Sequence, residues 1–138
     1  MKYLLDTCVI SELIAKTPNP NVVEFVDAIE TDNIFLSAIT IGEIAKGIEK
    51  LPESKRKREL QTWLKEDLLV RFDDKVLPLD TEVLIQWGIL SARLEGTGIT
   101  LPSMDSLIAA TALTHNLTLI TRNEGDFQNT GIELINPW

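Results

Sequence analysis

Cysteine and histidine are nearly absent from this chain, which has Cys8 and His115 as its only residues of either type. A disulfide needs two cysteines, and a structural zinc site needs about four ligands, mostly Cys and His. The sequence therefore excludes an internal disulfide, a Cys/His zinc site and a histidine-based triad. We expect Cys8 to be a small buried apolar residue and His115 to contact the helix dipole at a helix end.

Long apolar runs are also lacking. The apolar start of the chain, residues 1–10, is interrupted by Asp6, and no run approaches the roughly 20 residues needed to span a bilayer. We therefore expect a cytoplasmic protein that does not contact membranes.

Basic residues are few, since 13 Lys and Arg stand against 21 Asp and Glu and give a net charge of −8. This charge repels a polyanion at long range unless the charges are segregated. The basic run Lys55-Arg56-Lys57-Arg58 does not reverse the argument, because a short run of this kind on a helix usually forms a solvated face. Binding of nucleic acid would have to depend on a local site.

The remaining composition is that of a globular protein. Hydrophobic residues make up 44% of the chain, charged residues make up 25%, and no repeat or low-complexity tract is visible. A chain of 138 residues buries roughly two thirds of its unfolded surface around one core. We expect a single domain over residues 1–138.

Short apolar runs alternate with helical stripes along the sequence. Residues at helical spacing predict helices, including one capped by Asp80 and one that begins at Ser103. Pro78 makes one of the runs an edge strand. Strands are predicted near residues 2–5, 34–36, 76–79, 118–121 and 132–135. The alternation predicts an α/β fold with a mainly parallel central sheet flanked by helices.

Four acidic residues follow this pattern. Asp6 follows the first strand, Glu43 lies on the helix after the second, Asp105 lies in the first turn of an Ala-rich helix, and Asp126 follows the strand near residue 120. The carboxyl ends of parallel strands meet at one edge of a sheet, where such folds place their sites. We therefore expect the four carboxylates to converge.

Each acid also has a structural explanation. Asp6 suits a helix N-cap, Thr40 and Glu43 have the spacing of a capping box, and Asp105 suits the positive end of a helix. Asp126 suits a loop. Four such coincidences at one edge of the sheet are less economical than one acidic site.

A cluster of carboxylates needs a compensating cation. Two carboxylates about 4 Å apart repel by roughly 4 kcal/mol at an effective dielectric constant of about 20. An all-oxygen ligand set favours Mg²⁺, with Mn²⁺ as an alternative, over zinc. Such an ion lowers the pKa of a bound water and neutralises charge on a phosphate, which indicates phosphodiester hydrolysis.

Four segments resemble the signature stretches of VapC-type PIN domains. They are LLDTCVISE at 4–12, LSAITIGEI at 36–44, DSLIAATA at 105–112 and TRNEGDF at 121–127. The ending INPW at 135–138 is similar to that of FitB-like members. The resemblance extends along the whole chain in order and implies a PIN-like fold.

The resemblance also implies a function. It implies a metal-dependent endoribonuclease, the toxin of a toxin–antitoxin pair, in which Asp6, Glu43 and Asp105 are the catalytic metal ligands and Asp126 completes the set. Many relatives have an acid at the position of Asn123, so Asn123 and Asp126 are both candidates for the fourth position. The implied partners are RNA, a VapB-like antitoxin, a second copy of the chain and, through the antitoxin alone, operator DNA.

A partner surface is also indicated by the segment from about Ser54 to Leu69. Leu60, Trp63 and Leu64 lie with Leu68 on one face of this predicted helix. Core packing is the usual role of such a stripe. In the resembled toxins, helical surfaces form a homodimer and receive the antitoxin, so part of this face is a candidate for partner binding.

Two alternatives from other classes remain. A haloacid-dehalogenase-like phosphotransferase also begins with a strand that ends in Asp, but it requires a second Asp at the position of Cys8. A catalytically silent PIN fold that binds RNA or a partner has no need for four mutually repelling carboxylates. The acidic residues therefore favour the nuclease.

Overall fold

A five-stranded sheet forms the centre of the computed structural model, which describes residues 1–138. All neighbouring strands are parallel, and their order is β3-β2-β1-β4-β5. The strands are β1 (Tyr3–Leu5), β2 (Ile34–Ser37), β3 (Val76–Leu77), β4 (Thr118–Ile120) and β5 (Leu134–Ile135). The predicted α/β class and its parallel sheet are confirmed.

Eight α-helices connect the strands. They are α1 (Thr7–Leu13), α2 (Pro20–Asp27), α3 (Ala38–Glu49), α4 (Lys55–Trp63), α5 (Leu69–Arg71), α6 (Thr81–Gly96), α7 (Ser103–His115) and α8 (Glu124–Phe127). A 3₁₀ turn covers Thr31–Asn33, and a π-helical turn covers Leu64–Leu68. None of these helices combines the length and apolarity needed to cross a membrane.

Two apolar cores lie on opposite faces of the sheet. Successive side chains of a strand point to opposite faces, and accordingly Leu5 belongs to one core while Leu4 belongs to the other. The first core joins the sheet to α1, α2, α3 and α4, and the second joins it to α6, α7 and α8. Because the helices cover the two faces of the sheet, the ends of the strands are left uncovered.

Several helix ends agree with the sequence, whereas some lengths differ. Asp80 caps α6 by accepting a hydrogen bond from the Val83 backbone N–H at 3.0 Å, and α7 begins at Ser103. The edge strand β3 ends before Pro78, because proline cannot donate to the next rung of the ladder. The helix predicted from Ser54 to Leu69 is confirmed as one uninterrupted helical run, in which the π-helical turn joins α4 to α5.

The interpretation of the basic run as a solvated face is wrong for Lys57. Its side chain is buried, with its Nζ donating to the Glu49 carbonyl oxygen at 3.1 Å and pairing with Glu53 Oε1 at 2.9 Å. The ammonium group thus satisfies a carbonyl at the end of α3 and is charge-paired, the two conditions under which a lysine is tolerated inside a protein. Lys55, Arg56 and Arg58 are exposed, as expected.

Candidate active site

Asp6 lies at the carboxyl edge of the sheet, directly after β1. Its backbone N–H donates to the Ile120 carbonyl oxygen at 3.0 Å, which continues the ladder with β4 by one residue. Its Oδ1 accepts the Thr7 backbone N–H at 2.8 Å, so Asp6 is the N-cap of α1, as predicted. The cap holds the carboxylate in place, and Asp6 is only 4% exposed.

The other carboxylate oxygen of Asp6 is held by a residue that the sequence reasoning missed. The Thr121 hydroxyl donates to Asp6 Oδ2 at 2.8 Å, and Thr121 is fully buried. Burial raises the pKa of Asp6, and the hydrogen bonds from Thr121, Thr7 and Cys8 partly oppose the rise. The available signal was position, because Thr121 follows β4 just as Asp6 follows the adjacent strand β1.

Cys8 is half-buried, and the expectation of a simple apolar residue is incomplete. Its Sγ lies 3.7 Å from Asp6 Oδ2 and 3.8 Å from Thr121 Oγ1. Burial and the neighbouring Asp6 carboxylate raise the pKa of the Cys8 thiol, which favours the neutral form. A neutral S–H is a weak donor that adds to the support of Asp6.

Glu43 is not part of a capping box, so that structural explanation is wrong. Ser37 caps α3 instead, with its hydroxyl oxygen accepting the Ile39 backbone N–H at 3.1 Å. Thr40 is fully buried inside the helix, and half-buried Glu43 lies one turn further along. Glu43 Oε1 accepts a hydrogen bond from the Thr7 hydroxyl at 2.6 Å, which directs its carboxylate toward the end of β1.

The pKa of Asp105 indicates that the four acids converge. Asp105 lies in the first turn of α7, as predicted, and is half-buried. Burial, followed by the charges of Asp6, Asp126 and Glu43, raises the pKa of Asp105 to about 6. The other three carboxylates are therefore near enough to disfavour its charge, which is the arrangement expected from the positions of the acids at the ends of strands.

Asp126 and Asn123 have different environments. Asp126 lies on α8 and contributes to the raised pKa of Asp105. Asn123 precedes that helix, and its backbone N–H donates to Thr121 Oγ1 at 3.0 Å. Both side chains are exposed. Of the two, Asp126 supplies the fourth charge, while the backbone of Asn123 supports the residue that holds Asp6.

No basic side chain neutralises this cluster. The salt bridges of the protein involve Lys55, Lys57 and Lys75, and none includes the four acids. Arg122, the residue after Thr121, places its guanidinium 5.6 Å from the ring centre of Trp138. The carboxylates therefore repel one another without an internal counterion.

The donor set suits a hard divalent cation in kind, although it is not assembled around one. The structure contains no group of three or more His, Cys, Asp or Glu side chains already arranged to hold a metal ion. The terminal torsions of Asp and Glu are soft, so these carboxylates can rotate to bind an ion that compensates their repulsion. Carboxylate oxygens are the ligands that Mg²⁺ and Mn²⁺ prefer, and the one nearby sulfur is held by hydrogen bonds as a thiol.

Comparison with known proteins gives one consistent result. The PIN domain family model matches residues 3–133. The toxin FitB of Neisseria gonorrhoeae is 36% identical over 98% of this chain and 97% of its own length. The VapC ribonuclease Y4jK of Sinorhizobium fredii is 35% identical over 98% of this chain and 96% of its own length.

Solved structures agree with these relatives. The FitAcB structure from Neisseria gonorrhoeae has a TM-score of 0.94 at 35% identity, covering 99% of this chain and 98% of that chain. VapBC2 from Rickettsia felis, bound to a DNA fragment from its promoter, has a TM-score of 0.83 at 28% identity, covering 100% and 99%. This chain therefore belongs to the PIN-domain family and, within it, to the VapC and FitB toxins.

Proposed function

We propose that this protein is a metal-dependent endoribonuclease that hydrolyses RNA phosphodiester bonds as the toxin of a toxin–antitoxin pair. The observation that carries the proposal is the convergence of Asp6, Glu43, Asp105 and Asp126, since the charges of the other three acids add to burial in raising the pKa of Asp105 to about 6. The names of the ribonuclease and toxin relatives support it. An enzyme acting on cellular RNA would work in the cytoplasm.

Asp6, Glu43, Asp105 and Asp126 would hold Mg²⁺, or Mn²⁺ in its place. A bound ion supplies an activated water and neutralises charge on the scissile phosphate and the leaving oxygen. Asp6 offers a fixed carboxylate, since Thr7 and Thr121 hold its two oxygens. Asp105 and Asp126 are more exposed and can adjust to the ion and the substrate. The family resemblance implies products with 5′-phosphate and 3′-hydroxyl ends.

The proposed ion also answers the objection raised by the net charge of −8. Four carboxylates repel a phosphate backbone, whereas divalent cations bound among them reverse the local field. RNA binding would then depend on the metal at the site and not on a broad basic surface. A phosphotransferase of the haloacid-dehalogenase type does not agree with the PIN-domain match.

An antitoxin is the proposed protein partner, supported by the FitAcB and VapBC2 complexes among the structural neighbours. Leu60, Leu64 and Leu68 are buried in the first core, in agreement with the default interpretation of this stripe, but Trp63 is half-buried. Trp63 lines an apolar cavity of about 220 Å³ together with residues of β1, α1 and the segment after α4. An apolar side chain of an amphipathic helix fits such a cavity.

The position of this cavity connects partner docking to the acidic site. Leu5 lines the cavity, and the next residue is Asp6. In this proposal a segment lying in the cavity extends a basic side chain past the end of β1 to the carboxylates. An Arg guanidinium bridges two carboxylates with paired hydrogen bonds and relieves the repulsion that the metal would otherwise relieve. Operator DNA would be bound by the antitoxin's own DNA-binding part.

A homodimer is the proposed assembly, with α6 as its surface. Leu84, Ile85 and Ile89 lie close together on one side of this helix and are 45%, 60% and 59% exposed. Three large apolar side chains exposed on one helix are typical of an interaction surface. A second copy of the chain would cover them symmetrically.

The first prediction concerns cleavage. Asp6→Asn and Asp105→Asn should each lower Mg²⁺-dependent cleavage of structured RNA by on the order of 100-fold or more, because each removes a charge from the reacting centre. Asn also serves as an N-cap, so the fold should persist in Asp6→Asn. Cleaved ends would be mapped in Mg²⁺, Mn²⁺ and chelator, with Asp73→Asn as a control at an exposed turn. Full cleavage by both site variants would refute the proposed site, and RNA binding without cleavage by the wild type would indicate a silent PIN fold.

The second prediction concerns the pH dependence of the metal-free protein. The folded-state pKa of Asp105, about 6, lies above its ordinary value of 3.8. The ionised carboxylate therefore destabilises the folded state, with a cost that is absent below pH 3.8, grows as the pH rises and is complete above pH 6. Asp105→Asn should stabilise the metal-free protein by about 1 kcal/mol at pH 7. This is well below the free energy to which the full pKa shift corresponds, because water screens the charge of this half-exposed group.

Thermal melts at several pH values would measure this effect. The melting temperature of Asp105→Asn should exceed that of the wild type by roughly 3 °C at pH 7 and by almost nothing at pH 3.5. Millimolar Mn²⁺ should stabilise the wild type and remove the difference. Asp73→Asn, which removes an exposed carboxylate, should show neither effect. An equal gain for the two variants would contradict the electrostatic explanation.

The third prediction concerns the antitoxin. Trp63→Ala should weaken binding of the co-expressed small partner at least about 10-fold, because a central aromatic residue in a cavity is a typical hot spot. Val70→Ala is the control, since Val70 is 66% exposed and does not line the cavity. Calorimetry on purified proteins would measure both affinities. A partner variant in which Ala replaces the Arg that is proposed to bridge the carboxylates should still bind but no longer inhibit cleavage. Undiminished inhibition by this variant would disprove the Arg contact.

The fourth prediction concerns assembly. Ile85→Glu combined with Ile89→Glu should convert the dimer to a monomer of 15.4 kDa, because charged side chains cannot be buried unpaired in the interface. Light scattering after gel filtration would give the mass. Val70→Glu places the same charge at another exposed apolar position and should leave the dimer intact. A double variant that remains dimeric would show that α6 is not the interface.

A further inference from the structure

Thr7 contacts two of the four acids, and the sequence reasoning assigned it no role. Its backbone N–H donates to Asp6 Oδ1 at 2.8 Å, and its hydroxyl donates to Glu43 Oε1 at 2.6 Å. Asp6 and Glu43 are 37 positions apart in the chain and lie on different elements. One residue therefore links the cap at the end of β1 to the carboxylate on α3.

Glu43 depends on this contact more than Asp6 does. Asp6 has a hydrogen bond at each carboxylate oxygen and is almost fully buried. Glu43 has a longer side chain, is half-buried and accepts one hydrogen bond from the protein, that of Thr7. Fixing the long Glu side chain costs rotamer entropy. Burial is the main cause of the raised pKa of Asp6, and the charge of Glu43 adds to it. This repulsion between Asp6 and Glu43 would otherwise favour rotation of Glu43 toward solvent.

The hydroxyl of Thr7 is itself confined. Thr7 Oγ1 lies 3.1 Å from Thr40 Oγ1, and Thr40 is fully buried on α3. A hydroxyl has one proton, and the shorter, charge-assisted contact to Glu43 takes precedence over the contact to the neutral Thr40 oxygen. The branched Thr7 side chain is also stiff about its first torsion. Its hydroxyl is thus held in the direction of Glu43.

We infer that Thr7 is a positioning residue, which sets the Glu43 carboxylate relative to Asp6 before a divalent cation binds. The inference rests on the proposed function, because it assigns Glu43 to the metal site. Partners that orient metal ligands typically contribute 10- to 100-fold to metal affinity or activity. Thr7 does not have to touch the ion or the RNA to have this effect.

The test compares Thr7→Val, which keeps the shape and removes the hydroxyl, with Thr7→Ser, which keeps the hydroxyl. Titration calorimetry with Mn²⁺ should show affinity lowered roughly 10-fold or more in Thr7→Val and largely retained in Thr7→Ser. The Mg²⁺ concentration for half-maximal cleavage should rise in parallel. Thr114→Val is the matched control, because it removes a hydroxyl that donates to a helix carbonyl on α7. That variant should bind Mn²⁺ like the wild type.

A double-mutant cycle separates positioning from a general structural role. In a Glu43→Gln background, Thr7→Val should cause no further loss of Mn²⁺ affinity, because the carboxylate on which the hydroxyl acts is gone. A further loss of the same size would overturn the inference. If the melting temperature of Thr7→Val is far below that of the wild type, the Mn²⁺ affinities of Thr7→Ala and Thr7→Ser are compared instead, because these two variants differ only in the hydroxyl.

The outcomes distinguish this inference from the proposed function. Wild-type Mn²⁺ binding that is abolished by Asp6→Asn but unchanged in Thr7→Val would overturn the role of Thr7 and leave the proposed function standing. A wild-type protein that neither binds Mn²⁺ nor cleaves RNA would overturn both.

Discussion

The parallel ladder at the centre of the sheet is the constraint on which the rest of the structure depends. β1 pairs with β2 on one side and β4 on the other, with Leu4 opposite Phe35 and Leu5 opposite Ile120. This register brings Asp6 and Thr121 together, since each is the next residue beyond its strand. A slip of one residue would exchange the two faces of the strand. It would move Leu5 out of the first core and separate the carboxylate from the hydroxyl that holds it.

The edge of the sheet that carries the four acids is electrostatically unfavourable. Burial and mutual repulsion raise the pKa values of Asp6 and Asp105, so that both charged forms are disfavoured in the folded protein. Hydrogen bonds offset part of the cost at Asp6, whereas Asp105 has burial and three neighbouring carboxylates against it. A site of this kind is typical of function, because perturbed carboxylates gather where a cation or a reacting group compensates them. The two apolar cores supply the stability that permits it.

The acidic site and the apolar cavity share the strand β1. Asp6 follows the strand at the acidic edge, and Leu5 lines the apolar cavity beside Trp63. The cavity has walls from α1 and from the segment after α4, so its shape depends on the packing of the first core. On the proposal above, a partner seated there would lie next to the carboxylates. Inhibition would then follow from proximity and would not require a change of fold.

Much of this arrangement was determined by the sequence itself. Alternating apolar runs and helical stripes predict the α/β class, and the positions of Asp6, Glu43, Asp105 and Asp126 after strands predict their convergence. These inferences succeed because parallel strands have a common edge and because helix caps such as Asp6 and Asp80 have local signals. The strand lengths and the π-helical turn at Leu64–Leu68 were not predictable in this way, since tertiary packing overrides local preference there.

Only the tertiary structure decided which polar side chains support the acids. Thr40 and Glu43 have the spacing of a capping box, yet Ser37 caps the helix, and Glu43 accepts the hydroxyl of Thr7 from a different element. Lys57 belongs to an apparently solvated basic run, yet it is buried against the end of α3 and paired with Glu53. Such contacts join residues that are distant in the chain or depend on burial. Local spacing carries no signal for them, because their energy arises only when the packed sheet and helices exclude water from the groups that pair.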